Sequence, residues 1–257
     1  MLVTLCTVLG LAVGSFLTVV VERVPAGEPV LRPVARCSSC KAAVAPRDAV
    51  PLLGRWRLRG RARCCGAPLP RRDLFVEVAT AVAFGAVAFW NGPTRLLPAL
   101  LYLAAVSIAL AVIDIDTLRL PFAIVAPSYP VALVLLGGAA AIGADRAAAV
   151  RMLAGAAIWW GLYRLLHAIY PNGMGYGDVR LSGVLGLFTG YVGWPHVAVG
   201  LLAGFVVGGI AGLAFIAIGR RKLGSSIPYG PYLLTGAWIG LVAGEPVADW
   251  YLRSVGL

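Results

Sequence analysis

Long apolar runs separated by short polar segments make up most of this chain. A helix that crosses a membrane needs about 20 apolar residues, and on that measure the pattern predicts eight helices. They lie at roughly 2–21, 74–91, 96–113, 121–143, 147–170, 179–193, 196–218 and 231–250. The sixth run is short, and Pro127 and Pro130 interrupt the fourth, where they allow a kink or a re-entrant bend. The pattern therefore predicts an all-α integral membrane protein with about eight transmembrane helices.

One polar segment, 22–73, is much longer than the other connections. The chain thus divides into a first transmembrane helix (1–21), a small basic loop domain that contains cysteines (22–73) and a seven-helix membrane core (74–257). A segment of about 50 residues is too small to build a sturdy hydrophobic core of its own. We therefore expect an additional stabilising cross-link inside the loop domain.

The composition excludes an ordinary soluble domain. Of the 257 residues 60% are hydrophobic, the mean hydropathy is +0.87 and 13% are charged, whereas soluble domains carry about 25% charged residues. The net charge is +11. In a membrane protein such an excess points first to topology and to anionic lipid headgroups. We expect no nucleic-acid binding, because the most basic stretch, 55–72, has a single aromatic residue, Trp56, on which a base could stack.

The basic residues are divided unevenly between the two faces of the membrane. With eight spans, the face that holds the 22–73 loop carries 18 of the 22 Lys and Arg residues, and the opposite face carries 4. Because Lys and Arg are enriched in cytoplasmic loops, this asymmetry places the loop domain, Asp114 and Asp178 at the cytoplasmic face. Both chain ends are then expected outside.

Four cysteines lie in the loop domain. Cys37 and Cys40 form the sequence CSSC, and Cys64 and Cys65 are neighbours. A pair of cysteines with a two-residue gap is one half of a zinc knuckle, and a reducing cytoplasm disfavours disulfides. The pattern favours a zinc site held by these four residues, with unliganded thiols as the alternative. Cys6, in the first span, is expected to pack as a small apolar residue.

The candidate chemistry lies at two acidic spots next to apolar runs. Asp114 belongs to IDID at 113–116, and Asp178 belongs to GMGYGDVRL at 173–181. A carboxylate at membrane depth is costly unless it has a function or a partner. Asp114 and Asp116 point about 200° apart around a helix, so only one of them can face Asp178. We favour Asp114, which follows the apolar run directly.

Two carboxylates that meet across a helix interface do not both ionise readily, and the pair titrates as a unit. Such a pair suits peptide-bond hydrolysis, which then needs no cofactor. The ionised carboxylate takes a proton from the attacking water, and the protonated one supplies a proton to the substrate. Gly175 and Gly177 shape the active-site loop, because glycine permits tight turns and close approach of another chain.

Two other interpretations of the acidic residues stay open at this point. Asp residues near helix ends also serve as caps or form interfacial ion pairs, here with Arg119 or Arg180. A proton-coupled membrane transporter also uses intramembrane carboxylates. Transporters of that kind are built from paired repeats or broken helices, and the sequence shows neither.

The ordered set of motifs resembles the bacterial prepilin peptidases, the type IV prepilin leader peptidases, which are membrane aspartic proteases of the GxGD type. The likeness runs nearly from end to end. It is carried by GSFLTVVVERVP (14–25), CSSC (37–40), GAPLPRRDLFVE (66–77), IDIDTLRLP (113–121), GMGYGDVRL (173–181) and IPYGPYLL (227–234).

The resemblance implies both a site and an activity. The two catalytic aspartates fall on Asp114 and on Asp178 of the Gly-Tyr-Gly-Asp sequence. The implied reaction is removal of the short basic leader from prepilins or pseudopilins at the cytoplasmic face of the bacterial inner membrane. Many members also N-methylate the new terminus with S-adenosylmethionine. The products would serve type IV pili or type II secretion.

Three positions depart from the family pattern. Phe122 stands where an aspartate usually follows Leu-Pro, and Thr18 stands where asparagine is common. The usual second Cys-x-x-Cys pair is broken, because Ala62 holds the third-ligand position and Cys65 the fourth, with Cys64 as a displaced substitute. The last two departures concern zinc and methylation, and none of the three removes either aspartate.

Overall fold

The computed structural model describes residues 1–30, 40, 42–44, 57–171, 173–218 and 228–256. Within these residues the chain forms eight α-helices and an isolated antiparallel bridge between Arg61 and Pro68, with no strand. The helices are α1 (Leu2–Arg23), α2 (Arg71–Asn91), α3 (Leu97–Thr117), α4 (Phe122–Gly143), α5 (Arg146–Ile169), α6 (Tyr176–Val192), α7 (Trp194–Ala217) and α8 (Gly230–Ser254). The predicted all-α class is confirmed.

Six of these helices, α1 to α5 and α7, are long and apolar enough to cross a membrane. Helix α6 has only 17 residues, and α8 carries Glu245, Asp249 and Arg253 in its second half. The integral membrane character is therefore confirmed, whereas the number of eight crossings stays a prediction.

The predicted helix boundaries lie within a few residues of the observed ones. The boundary difference that matters for the site is at α6. This helix begins at Tyr176, before the predicted start at 179, and so includes Asp178 in its first turn. Helix α4 runs without a break through Pro127 and Pro130, so the chain does not re-enter there. Ser128 lies between these two prolines in the sequence, and its hydroxyl donates to the Ile124 carbonyl at 2.8 Å.

The chain forms two compact units, Met1–Val112 and Ile113–Leu257. This division by packing does not test the three-part organisation predicted from sequence, which stays a prediction. In the first unit α1 packs on α2 through two glycines. A Cβ atom on Gly10 would lie 2.8 Å from the Cα of Ala81, and one on Gly14 would lie 2.8 Å from the Cα of Glu77. The two helix backbones therefore touch.

In the second unit α6 is the most enclosed helix. Asp178, Val179 and every residue from Leu181 to Gly190 are buried. Its neighbour α5 approaches through Gly155, where a Cβ atom would lie 2.6 Å from the Gly186 carbonyl oxygen and 2.8 Å from the Cα of Gly190. Small residues that let backbones meet are the usual means of packing helices inside membranes. The enclosed helix is the one that carries Asp178.

Helices α7 and α8 pack in the same way. A Cβ atom on Gly240 would lie 2.6 Å from the Cα of Gly200, and Gly236 meets the backbone of Gly204. This contact fixes the first turn of α8 in the second unit, and that turn begins at Gly230. Pro231 lies in the same first turn, where its missing N–H costs no helical hydrogen bond.

Candidate active site

Asp114 lies three residues before the end of α3 and is buried, with 4% of its surface exposed. The backbone N–H of Gly230, at the start of α8, donates to Asp114 Oδ2 at 2.9 Å. Asp116, two residues further along the helix, is exposed. The structure therefore places Asp114 inward and Asp116 outward, as the helical spacing predicts.

Asp178 lies in the first turn of α6 and is also buried, with 7% exposed. Its backbone N–H donates to the Gly175 carbonyl at 3.1 Å. A Cβ atom on Gly175 would lie 3.3 Å from Asp178 Oδ2, so this loop passes directly beside the carboxylate. The other oxygen, Oδ1, is buried and has no hydrogen-bond partner among the described residues. A buried acceptor of this kind is unusual in a purely structural role.

The two carboxylates are close enough to interact electrostatically. Leu120, in the connection between α3 and α4, contacts both segments around them. A Cβ atom on Gly177 would lie 2.9 Å from the Leu120 Cβ, and one on Gly230 would lie 3.2 Å from the Leu120 Cδ2 and 2.8 Å from Asp114 Oδ2. Two glycines thus allow Leu120 and Asp114 to approach the loops that hold the site. Neither aspartate forms an ion pair with a described basic residue.

The turn after α3 is strained. Leu118 has φ +54°, a left-handed conformation that is unfavourable for a residue with a side chain. Its N–H still donates to the Asp114 carbonyl at 2.8 Å. The turn ends α3 just after the aspartate and directs the chain toward Leu120 and the start of α4.

Arg180 does not pair with an aspartate, as one sequence-based alternative would require. Its guanidinium lies between two aromatic rings, 4.7 Å from the centroid of Phe122 and 4.7 Å from that of Tyr176. The Tyr129 hydroxyl donates to the Arg180 carbonyl at 2.6 Å. These contacts join the start of α4 to the first turn of α6 on either side of Asp178. Phe122, the departure from the family pattern, is therefore in contact with the segment around the site.

A column of aromatic rings leads from the membrane core to the start of α8. Tyr163 is fully buried, with its ring stacked against Phe205 at 5.4 Å and against Trp159 at 6.4 Å between centroids. Its hydroxyl lies 3.4 Å from the hydroxyl of Tyr229, the residue before Gly230. Both phenols interact electrostatically with Asp178.

Three of the four predicted metal ligands in the 22–73 segment lie close together. The sulfur atoms of Cys40, Cys64 and Cys65 lie within 4.8 Å of one another and are exposed. Cys64 and Cys65 sit in a tight turn closed by the Ala62 N–H, which donates to the Ala67 carbonyl at 2.8 Å. Three thiols at this spacing suit a soft metal such as zinc. Cys37 lies outside the described residues.

The sequence did not reveal every residue at the site. Gly230, Tyr229 and Tyr163 were not predicted as site residues, and the IPYGPYLL segment served only as one of the motifs of the family resemblance. Nothing in the spacing of α3 and α8 reveals that the Gly230 N–H reaches Asp114. The glycine inside a Pro-Tyr-Gly-Pro sequence was the available hint, because such a position often lets a backbone approach another group closely.

Comparison with known proteins places the chain in a family. Residues 8–91 match the Bacterial Peptidase A24 N-terminal domain, and residues 101–213 match the Type IV leader peptidase family. The prepilin leader peptidase/N-methyltransferase of Aeromonas hydrophila is 32% identical over 95% of this chain and 91% of that protein. The protein of the same name from Pseudomonas aeruginosa is 31% identical over 98% of this chain and 94% of its own length. That from Burkholderia pseudomallei is 33% identical over 93% and 84%.

No solved structure matches the chain significantly. The family matches include both aspartates within one domain, since Asp114 and Asp178 fall between residues 101 and 213. Together with the six apolar helices, they show a multi-pass protein of the inner membrane. The chain belongs to the type IV leader peptidase family and is a membrane peptidase.

Proposed function

We propose that Asp114 and Asp178 are the catalytic pair of an aspartic endopeptidase that removes the leader from prepilins or pseudopilins. The observation that supports this most is the meeting of two buried carboxylates from α3 and α6, neither of them ion-paired with a described basic residue. Burying two unneutralised acids together is unfavourable for stability. A functional use explains why the protein keeps them there.

The chemistry follows from the pair sharing one proton. Two carboxylates at close range do not both ionise readily. The ionised member accepts a proton from water as the water oxygen attacks the scissile carbonyl carbon, and the protonated member gives its proton to the carbonyl oxygen. The resulting tetrahedral diol collapses when the amide nitrogen is protonated and the C–N bond breaks. No covalent intermediate and no metal are needed.

The site faces the cytoplasm in this proposal. The basic residues follow the positive-inside distribution only if the 22–73 loop, the end of α3 and the start of α6 share the cytoplasmic face. That face is where newly made substrates with basic leaders are found. The basic loop domain would meet anionic headgroups there, with an attraction of roughly 1 kcal/mol per basic residue near the surface.

The loop domain would hold zinc, and the enzyme would also N-methylate the new terminus with S-adenosylmethionine. The three gathered sulfurs support the metal, and the methyltransferase part of the relatives' names supports the second activity. Cys40, Cys64 and Cys65 would bind zinc as thiolates, with Cys37 as the fourth ligand. When bound, the metal would supply folding energy to a segment with little core of its own.

Mass spectrometry of a synthetic prepilin peptide incubated with the purified protein tests these activities together. Loss of the leader mass alone shows a peptidase, and a further gain of one methyl group in the presence of S-adenosylmethionine shows a bifunctional enzyme. An intact peptide after incubation with folded protein would contradict the proposal.

A further inference from the structure

The Tyr163 and Tyr229 hydroxyls form a second polar feature next to the residue that binds Asp114, and the aspartic mechanism does not use this feature. They lie 3.4 Å apart and are each other's only partner among the described residues. Two phenols carry two hydrogens, and the bond between them uses one. One O–H therefore has no acceptor in the described part of the chain, although buried polar groups normally find a partner.

The free hydrogen is assigned to Tyr229 by burial. The Tyr163 ring is fully enclosed and fixed between Trp159 and Phe205, so its hydroxyl reaches only its neighbour. Tyr229 is half-buried, and it lies just before the first turn of α8. When Tyr163 donates to Tyr229, the Tyr229 O–H is left to point elsewhere.

Tyr229 is connected to the aspartate site through its neighbour in the chain. The next residue, Gly230, donates its N–H to Asp114, and Asp178 acts electrostatically on both phenols. Asp178 keeps one buried oxygen, Oδ1, without a partner among the described residues. A tyrosine with an uncommitted O–H hydrogen therefore directly precedes the residue that binds Asp114.

We propose that Tyr229 donates a hydrogen bond to the carbonyl oxygen of the scissile peptide bond, and that Tyr163 orients it. This inference rests on the proposed function and adds a third catalytic residue to the aspartate pair. As water adds to the carbonyl carbon, the π electrons move to the oxygen, and the Tyr229 O–H holds that oxygen while the protonated aspartate delivers its proton. Tyr229 keeps its own hydrogen throughout. A donor that is strongest when charge develops on oxygen raises kcat rather than substrate affinity.

Three phenylalanine variants of the full-length protein, assayed on a synthetic prepilin peptide, separate the roles. We expect Tyr229→Phe to lower kcat about 10²-fold, as the loss of an oxyanion donor does, with KM nearly unchanged. Tyr163→Phe should give a smaller loss of kcat. Tyr251→Phe is the control, since it removes the same atom from an exposed position near the other end of α8, and it should keep the wild-type kcat.

A binding measurement gives a second readout that does not depend on turnover. One peptide carries a hydroxymethylene group in place of the scissile carbonyl, and a second carries a reduced CH₂–NH link without that oxygen. We expect Tyr229→Phe to weaken binding of the first about tenfold and to leave binding of the second unchanged. The ratio of the two affinities stays informative even if the variant is partly unfolded.

The outcomes distinguish the two proposals. If the wild-type protein leaves the peptide uncleaved, the aspartic endopeptidase itself is wrong. If the wild-type protein cleaves but Tyr229→Phe retains kcat and the wild-type ratio of affinities, the role of Tyr229 is wrong and the peptidase stands.

Discussion

Asp114 and Asp178 are both buried, but their immediate surroundings differ. Asp114 ends an apolar helix and receives a backbone N–H from Gly230. Asp178 starts a helix, beside a glycine loop, and keeps one oxygen without a described partner. Each residue therefore depends on a different segment for its position, and substitutions can separate the carboxylate chemistry from the placement of the groups.

Replacing either inward carboxylate should remove activity. We expect Asp114→Asn and Asp178→Asn each to slow leader cleavage by about 10³-fold or more, because the remaining acid cannot perform both proton transfers. Asp116→Asn should retain most activity, since that side chain is exposed. Cleavage rates of the purified variants decide this, and equal losses at Asp114 and Asp116 would contradict the assignment.

A methyl group added at Gly230 should disturb Asp114 without removing it. The new Cβ would lie 2.8 Å from Asp114 Oδ2 and 3.3 Å from its Cγ, so the carboxylate must move. A displacement of about 1 Å at a reacting group can cost about 10²-fold in rate, and we expect Gly230→Ala to lower kcat to that extent. Gly209→Ala on α7, which meets open space, is the control. Wild-type kcat in Gly230→Ala would show that the contact is unimportant.

At the scale of helices, glycine determines how closely neighbours pack. The apolar pattern predicted where the helices lie, because length and hydropathy follow from composition along the chain. It did not predict which helices meet. The contacts of Gly155 with α6 and of Gly230 with Asp114 depend on the third dimension. The same limit explains why the sequence indicated the two aspartates as candidates and did not indicate the contact between Tyr163 and Tyr229.

The packing of α5 on α6 can be tested by one methyl group. Gly155→Ala would place a Cβ 2.6 Å from the Gly186 carbonyl oxygen, which forces the backbones apart. We expect a loss of about 1–3 kcal/mol in stability, as in overpacked cores, measured as a lower unfolding temperature in lipid or detergent. Gly161→Ala, on the same helix but facing open space, should unfold like the wild type. Equal unfolding temperatures for both variants would contradict the close packing.

The cysteine loop provides an independent test at this scale. If Cys40, Cys64 and Cys65 bind zinc, Cys40→Ser should lower the zinc content of the purified protein. The variant should retain partial cleavage, because the cysteines belong to the loop domain and not to the aspartate pair, and it should lose methylation. Cys6→Ala, in α1 and away from these sulfurs, is the control. Elemental analysis that finds no zinc in wild-type protein purified without chelators would exclude the metal.

For the whole molecule, the distribution of charge predicts an orientation. Single cysteines placed near Arg146 or Arg253 should react with a membrane-impermeant thiol reagent added to intact cells. Cysteines placed near Arg57 or Arg221 should be protected until the cells are opened. Labelling near Arg57 in intact cells would reverse the orientation and move the aspartates away from newly made substrates.

The length of α6 also determines how deep Asp178 lies. Seventeen helical residues extend about 26 Å, a little less than the hydrocarbon layer of about 30 Å. A lipid-facing helix this short would thin the bilayer around it, but α6 is enclosed by protein along nearly its whole length and cannot adjust the lipid directly. With its far end at one surface of the hydrocarbon layer, the end that carries Asp178 stops below the other. Under the proposed function, the scissile bond would then have to leave the headgroup region to reach the depth of Asp178. The substrate segment would also have to unwind there, because a helix would hide its carbonyl groups from the attacking water.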